Sequence, residues 1–177
     1  GLRAGDSIRI TGPLGRGIES LECASLVLLA RGVGAAALVA LAEFAAARGV
    51  EVFTILSAST ASRLVCREYL SPVSRELQVS TDDGSGGFRG NATDLLDALL
   101  ERRRIDRVYS CGSRRFGRHV QRLDEDGRLE GYVFLEGRMG CGMGDCHGCA
   151  VPRNGRPGYL LVCEDGPHFR ASEVLIQ

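Results

Sequence analysis

The chain has 177 residues, of which 44% are hydrophobic and 6% aromatic, and its 22 basic and 22 acidic residues give a formal net charge of zero. This length holds one ordinary domain, or one domain and a small module. The balanced charge gives no reason to expect nucleic acid or an acidic membrane surface as a partner. All the basic residues are arginine, which excludes Schiff-base chemistry on lysine and a P-loop lysine. No run of about 20 apolar residues occurs, so we expect no transmembrane helix and a cytoplasmic protein.

The first two thirds of the chain alternate between strand and helix patterns. Residues 7–11 are predicted as a short alternating strand. Apolar runs then predict buried strands at residues 26–30, 51–56, 77–80 and 107–110. The segments between and after them predict helices that end near residues 48, 70, 104 and 120. Strands that are apolar throughout and alternate with helices indicate a doubly wound parallel sheet.

The last third of the chain has a different pattern. The charged residues at 124–130 are interpreted as a linker or hinge. A strand is predicted at 132–135, another at 159–162, and residues 174–176 are expected to close a small antiparallel sheet. The predicted fold class is therefore α/β, with a doubly wound parallel-sheet nucleotide-binding domain followed by a small C-terminal module with short antiparallel strands.

Four cysteines in the last third carry the most specific signal. Cys141, Cys146, Cys149 and Cys163 are spaced C-x4-C-x2-C-x13-C, which is the plant-type arrangement for a [2Fe–2S] cluster. The first three lie in residues 137–149, where five of thirteen positions are glycine. A chain that wraps a small anionic cluster must bend sharply and bring amide N–H groups to the sulfurs, and larger side chains would obstruct that. The pattern predicts these four thiolates as iron ligands.

Two other uses of these cysteines fit the spacing less well. Structural zinc usually takes two short pairs, and here only Cys146 and Cys149 form such a pair. His147 lies between these two predicted ligands, where a side chain normally points away from the metal. A disulfide framework is disfavoured by the odd total of seven cysteines and by the absence of a recognisable signal peptide.

A second signal follows the first strand of the βα series. Gly32-x-Gly34 lies between a predicted strand and a helix, the context in which backbone N–H groups bind phosphate. Close packing of helix on strand selects the same small residues, so both interpretations stay open. No acidic residue ends the second strand, where one would bind a ribose, and Ser57 and Ser59 stand there instead. Arg31, just before the glycines, could pair with a phosphate or obstruct it.

Two further loops follow strand ends, the edge at which open α/β sheets bind ligands. The predicted cofactor-binding residues there are Asp82, Asp83, Gly84 and Ser85 after the third strand, and Cys111 and Gly112 after the fourth. The first group is expected either to contact a nucleotide or to form an Asx turn. The cysteine is expected either to belong to a redox site or to be buried packing.

The remaining cysteines and histidines receive no catalytic role. Cys23 and Cys66 are expected to be structural. His119 lies on a predicted helix and His168 follows the last predicted iron ligand, and neither has a partner that the sequence identifies. No general acid or base is assigned.

Together these motifs resemble the electron-transfer subunit of NAD-linked dihydroorotate dehydrogenase, within the ferredoxin reductase superfamily. The most specific matches are the cysteine loop GRMGCGMGDCHGC and the segment GYLLVCEDGPHF that carries Cys163. Further matches occur in the family's order at residues 12–15, 32–34, 81–85, 90, 93–96 and 111–112. Sulfhydrogenase-type subunits share the same module.

The resemblance implies three parts: residues 1–17 as the exit from an FAD-binding barrel, residues 18–125 as a ferredoxin-reductase-like NAD-binding domain, and residues 126–177 as the [2Fe–2S] domain. It implies electron flow from a partner flavoprotein dehydrogenase through the cluster to FAD and then to NAD, in pyrimidine biosynthesis. The implied cofactors are thus the cluster, FAD and NAD. The implied assembly is a homodimer or a heterotetramer with the dehydrogenase, with neither nucleic acid nor membrane as a partner.

Three features depart from the family's pattern. The barrel is nearly absent, Arg31 stands in the glycine cluster after the first strand, and Ser113 and Phe116 replace the family's proline and methionine. Two other functions therefore stay open. One is electron transfer for another NAD(P)-linked oxidoreductase of the sulfhydrogenase type, and the other is a metal-binding relic without catalysis.

Overall fold

The computed structural model describes residue 1 and residues 3–176. Its strands are β1 (Ser25–Arg31), β2 (Glu51–Ala58), β3 (Glu76–Thr81), β4 (Phe88–Arg89), β5 (Arg107–Cys111), β6 (Glu130–Phe134), β7 (Ala150–Pro152), β8 (Tyr159–Leu161) and β9 (His168–Arg170). Its helices are α1 (Gly34–Ala46), α2 (Arg67–Leu70), α3 (Ala92–Arg102) and α4 (Arg114–Glu125). Seven strands form one sheet in the order β4–β3–β2–β1–β5–β6–β9. Adjacent strands from β4 to β6 are parallel, and β9 is antiparallel to β6.

Hydrophobic cores lie on both faces of this sheet. Leu26, Val27, Leu28 and Leu29 of β1 are all fully buried. Alternate residues of a strand face opposite sides, so Leu26 and Leu28 pack with α1, whereas Val27 and Leu29 pack with α3 and α4. A continuous apolar run is what a strand covered on both faces requires. The predicted doubly wound α/β class is confirmed.

The predicted elements agree with the structure in the βα series and differ at its edges. All four predicted strands are present as β1, β2, β3 and β5, each slightly longer than expected. The predicted strand at residues 7–11 is wrong: Ile8 and Ile10 are 59% and 82% exposed, and no described strand pairs with this segment. The single helix predicted to end near residue 70 is also wrong, because Cys66 adopts a left-handed backbone (φ 62) and leaves only the 3-10 turn Ala61–Arg63 and α2.

The C-terminal third continues the same sheet. Helix α4 extends to Glu125, and the Gly127 N–H donates to the Asp124 carbonyl in the turn that leads toward β6. The hinge expected at residues 124–130 is therefore wrong at its start. Strands β7 and β8 form a separate two-stranded antiparallel sheet. In place of a strand at residues 174–176, Val174 makes one isolated antiparallel bridge with Arg153. The domain division at residue 125 stays a prediction.

A buried carboxylate joins the elements around this turn. The side chain of Asp124 has no exposed surface. Its Oδ1 accepts hydrogen bonds from the Gly131 N–H (3.1 Å) and the Arg170 Nε (2.7 Å), and its Oδ2 accepts one from the Ser172 N–H (3.0 Å). It therefore ties α4 to β6, to β9 and to the 3-10 turn Ala171–Glu173. Within the described part of the chain, no helix has the length and apolar character needed to span a membrane.

Candidate functional site

Two of the predicted iron ligands lie together at the base of the cysteine loop. Cys149 directly precedes β7 and Cys163 lies two residues after β8, so the pairing of Ala150 with Leu161 brings the two cysteines to the same end of the hairpin. Their Sγ atoms are 3.3 Å apart, and the residues are only 5% and 4% exposed. Because the two thiols are adjacent and buried, the pKa of Cys163 is raised. A bound cation would remove this penalty, since it stabilises both thiolates.

The other two predicted ligands form a second pair nearer the surface. The Met143 and Cys146 N–H groups each donate to Cys141 Sγ at 3.4 Å, and the Cys146 thiol also contacts that sulfur. The Gly148 N–H donates to Cys146 Sγ at 3.4 Å. The Met143 N–H, followed by the Cys146 N–H and thiol, lowers the pKa of Cys141 to about 7. A lowered pKa favours the thiolate, which is the form that binds iron.

The loop fits a [2Fe–2S] cluster. A Cβ on Gly137 would lie 2.8 Å from the Cβ of Cys149, so close packing requires glycine there. Gly144 has a left-handed backbone (φ 81), which favours glycine. Among the described residues, no three metal-binding side chains are grouped to hold a single ion. The thiols are grouped in two pairs instead, as suits a cluster whose two irons share four cysteines.

A cavity of about 330 Å³ lies at the carboxyl ends of β1, β5 and β6, the edge at which the sequence predicts nucleotide binding. Its walls include Arg31, Cys111, Gly112, Arg114 and Glu136. Glu136 directly precedes the cysteine loop, residues 137–149. The cavity therefore lies beside the chain segment that enters the candidate metal centre.

The predicted glycines have separate roles around this cavity. A Cβ on Gly34 would lie 2.7 Å from backbone atoms of Cys111 and Gly112, and one on Gly112 (φ 90) would lie 2.1 Å from the carbonyl oxygen of Arg31. Both glycines therefore allow close packing of α1 against the β5–α4 turn. Gly32 has a left-handed backbone (φ 52) and open space at its Cβ position, so a ligand can approach it.

Arg31 links three strand ends across the edge of the sheet. Its Nη1 donates to Ser57 Oγ (2.9 Å) and to Asp82 Oδ1 (3.1 Å), and its Nη2 donates to Asp82 Oδ2 (2.5 Å). The hydrogen bonds from Arg31 lower the pKa of Asp82. The Asp82 N–H also donates to the carbonyl of Ala58, the last residue of β2. The acidic side chain that β2 itself lacks is thus supplied by the residue after β3.

The rest of the Asp82–Ser85 loop is bonded to itself and to a neighbouring turn. Asp83 Oδ1 accepts hydrogen bonds from the N–H (2.9 Å) and the hydroxyl (2.6 Å) of Ser85, and these lower the pKa of Asp83. The Ser85 Oγ accepts one from the Ala61 N–H (2.8 Å). Gly84 has a left-handed backbone (φ 78). Of these four residues, Asp82 is the one whose side chain reaches Arg31, and the other three shape an Asx turn.

His119, for which the sequence identifies no partner, pairs with an acidic residue of α3. His119 Nε2 lies 2.8 Å from Asp97 Oδ1 on α3. Cys111 is buried, and burial raises its pKa to about 11. Its thiol is therefore neutral near pH 7, as packing requires. Burial also raises the pKa of Cys23.

A second cavity, of about 530 Å³, was not anticipated. Residues 13–18, the face of α1 from Ala37 to Phe44, and the side chains of Phe134, Pro167 and His168 form its mostly apolar wall. The rings of Phe134 and His168 have centroids 5.9 Å apart. No local sequence pattern could have indicated this cavity, because its wall comes from separate segments of the chain.

The chain is similar to one family of electron-transfer proteins over nearly its whole length. Residues 136–175 match the iron-sulfur cluster binding domain of dihydroorotate dehydrogenase B. The chain is 33% identical over 180 residues to the dihydroorotate dehydrogenase B (NAD(+)), electron transfer subunit, of Streptococcus pneumoniae serotype 4, covering 99% of this chain and 70% of that relative. It is 34% identical over 168 residues to the probable subunit of the same name in Methanocaldococcus jannaschii, covering 95% and 63%. The chain thus spans about two thirds of the length of these curated relatives.

Solved structures show the same fold. An NADH-dependent reduced ferredoxin-NADP oxidoreductase, studied for flavin-based electron bifurcation, has a TM-score of 0.84 and 29% identity over 94% of this chain and 59% of that one. An intact type IV self-sufficient cytochrome P450 monooxygenase has a TM-score of 0.54 and 17% identity over 86% of this chain and 26% of that one. The second likeness concerns the fold alone.

Proposed function

We propose that this chain, which belongs to the family of dihydroorotate dehydrogenase B electron-transfer subunits, relays electrons through a [2Fe–2S] cluster held by Cys141, Cys146, Cys149 and Cys163. The observation that supports this most directly is the grouping of these thiols into two pairs in a glycine-rich loop. The electrons would pass between a catalytic flavoprotein dehydrogenase and FAD and NAD. We propose dihydroorotate dehydrogenase, in pyrimidine biosynthesis, as that partner.

The two cysteine pairs would serve the relay differently. When bound, the cluster supplies one-electron chemistry. Cys149 and Cys163 are buried and keep their side of the site away from water, whereas Cys146 is exposed and Cys141 half-buried. Amide N–H groups aimed at Cys141 and Cys146 stabilise negative charge on those sulfurs. The Cys141–Cys146 side of the site would therefore face the electron-transfer partner.

The two cavities suit the two organic cofactors. The 530 Å³ cavity is mostly apolar and bounded by aromatic rings, as a flavin ring system requires. Leu14 forms part of its wall and lies 3.3 Å from the position of a Cβ on Gly142, so the cavity adjoins the cysteine loop. We assign FAD to this cavity and NAD to the 330 Å³ cavity beside Gly32.

The cysteine loop also offers a docking surface. Met139 and Met143 are 46% and 65% exposed, and His147 is exposed with a left-handed backbone (φ 54). Methionine side chains adapt readily to a partner's surface. We propose that the dehydrogenase docks here within a cytoplasmic heterotetramer. The alternative assembly of this chain is a homodimer.

A second candidate keeps the relay and changes the partner. The structural likeness to the ferredoxin-NADP oxidoreductase, at 29% identity, favours an electron-transfer subunit of another NAD(P)-linked oxidoreductase. The chemistry of this chain would be the same, since the final substrate would bind the other subunit. Identification of the subunit that copurifies with the chain separates these two candidates.

An anaerobic absorption and EPR spectrum of the purified chain tests the proposed relay, with iron, sulfide, zinc and flavin quantified on the same sample. We expect about two irons and two sulfides per chain and a rhombic signal on reduction, as for plant-type centres. Zinc without sulfide, persisting after anaerobic reconstitution with iron and sulfide, would instead indicate a metal-binding relic.

A further inference from the structure

We propose that Arg31 is a phosphate-binding residue, held in place by Asp82, and that it contacts the diphosphate of an adenine dinucleotide in the 330 Å³ cavity. The inference rests on the proposed function for the identity of the nucleotide. It goes beyond that function by assigning a phosphate-binding role to an arginine that departs from the family's glycine pattern.

The position of Arg31 suits an anionic ligand. It is the last residue of β1 and lines the cavity, and its side chain is 24% exposed. A guanidinium carries five N–H groups. Within the described residues, three of these donate to Ser57 and Asp82, which leaves two for a ligand. The planar fork of arginine matches phosphate oxygens better than a point charge does.

The charges around the cavity favour an anion. Arg114 lines the same cavity, and Arg115 lies close enough to Asp82 to contribute to the lowering of its pKa. The acidic groups at this edge are Asp82, its neighbour Asp83 and Glu136, of which Glu136 faces Cys111. Among the residues that line the cavity itself, the guanidinium groups of Arg31 and Arg114 stand against one carboxylate, that of Glu136, which favours an anionic ligand.

Three of the backbone N–H groups near the start of α1 already have hydrogen-bond partners. The Gly32 N–H donates to the Ser57 carbonyl (2.8 Å). The N–H groups of Ala35 and Ala36 donate to the carbonyls of Gly32 and Val33, at 3.1 and 3.0 Å. A helix start with its amides engaged in this way binds phosphate less well. The arginine side chain supplies the donors that these amides do not.

Asp82 has two opposing effects on the proposed site: it orients Arg31, and its negative charge opposes the binding of an anion. Its two oxygens fix the guanidinium in one orientation. The arginine side chain therefore loses less conformational entropy when a phosphate binds. Its negative charge also lies next to the proposed anion site and repels a phosphate. Electrostatic repulsion extends over a longer distance than the hydrogen bonds that orient Arg31. We therefore expect removal of the Asp82 charge to strengthen phosphate binding.

Calorimetric titration of ADP into the purified chain tests the inference. We expect Arg31→Gln to weaken ADP binding about tenfold, because a charge-assisted hydrogen bond is lost. We expect Asp82→Asn to strengthen it about threefold. Arg102→Gln is the matched control, since Arg102 forms a similar ion pair with Glu76 at the opposite end of β3. It should leave ADP binding unchanged.

The opposite signs separate a phosphate role from a general loss of structure, which would weaken binding in both variants. Unchanged or tighter ADP binding by Arg31→Gln would show that the guanidinium obstructs the cavity, and would overturn the inference. So would the absence of ADP binding in both the wild type and Asp82→Asn. If Arg31→Gln does not fold, the Asp82→Asn variant decides the question: tighter ADP binding supports the inference, and weaker or unchanged binding overturns it. Iron and sulfide analysis of the same samples tests the relay separately, so each proposal can fail without the other.

Discussion

The four thiols predicted as iron ligands have no substitute among the other cysteines. We expect Cys149→Ser to abolish or strongly destabilise the cluster, because a serine oxygen is a poor replacement for a thiolate on iron and Cys163 would lose the neighbour that lies 3.3 Å from it. Iron and sulfide content and the reduced EPR signal measure the loss. Cys66→Ser is the control and should retain the cluster. Bleaching of the control would show that the ligand assignment is wrong.

Single glycines determine how closely the elements approach. A Cβ on Gly112 would lie 2.1 Å from the Arg31 carbonyl, whereas one on Gly127 would meet nothing within 4 Å, and both residues have a left-handed backbone (φ 90 and 68). We expect Gly112→Ala to lower the free energy of unfolding by roughly 2–4 kcal/mol and Gly127→Ala by only about 1 kcal/mol. Urea unfolding of both variants measures the difference. Equal losses would mean that the close approach contributes nothing beyond backbone strain.

At the scale of elements, one carboxylate secures the C-terminal third to the sheet. Asp124→Asn removes the charge that pairs with Arg170 and leaves that guanidinium without its buried partner. We expect the free energy of unfolding to fall by about 2–4 kcal/mol. Asp126→Asn, at the exposed end of the same helix, should change it by less than about 0.5 kcal/mol. A loss for Asp124→Asn as small as that of the control would contradict the structural role.

The same carboxylate predicts how stability depends on pH. Burial raises the pKa of Asp124, but hydrogen bonds from Arg170, Gly131 and Ser172 outweigh burial and hold the pKa below its ordinary value. A depressed pKa in the folded state contributes stability above the unfolded pKa of about 4, which is lost as the pH falls through the folded value. Urea unfolding between pH 6 and pH 3 should therefore show a steeper acid loss in the wild type than in Asp124→Asn. Parallel curves would exclude Asp124 as a source of this dependence.

At the scale of the whole molecule, the exposed cysteine loop predicts where a partner binds. Alanine substitution of Met139, Met143 and His147 together should slow electron transfer from the copurified dehydrogenase roughly fivefold or more, because docking contacts are lost. The cluster content should not change. Stopped-flow reduction of the cluster measures the rate. Tyr69→Ala, which removes an exposed aromatic side chain on α2, is the control, and an unchanged rate in the triple variant would reject this docking surface.

The sequence was sufficient for the properties that depend on local order. The apolar runs and helical segments predicted the doubly wound sheet, since strand burial on both faces leaves a continuous apolar pattern. The spacing of Cys141, Cys146 and Cys149 predicted the iron-sulfur module, because one continuous loop carries three of the four proposed ligands. The family resemblance drawn from these motifs is confirmed. The individual ligand assignments stay predictions until the cluster is measured.

Only the tertiary structure decided the contacts between residues far apart in the chain. The pairing of Arg31 with Asp82 spans 51 positions, and that of Asp124 with Arg170 spans 46. Charged residues in such segments look the same in sequence whether they are exposed or buried, so the sequence predicts a hinge at residues 124–130 although Asp124 is buried. The order of the strands in the sheet decides which strand ends lie next to each other. Neither hydrophobic periodicity nor motif spacing predicts that order. The apolar cavity beside His168 was likewise unpredictable, because its wall comes from separate segments that only the folded chain brings together.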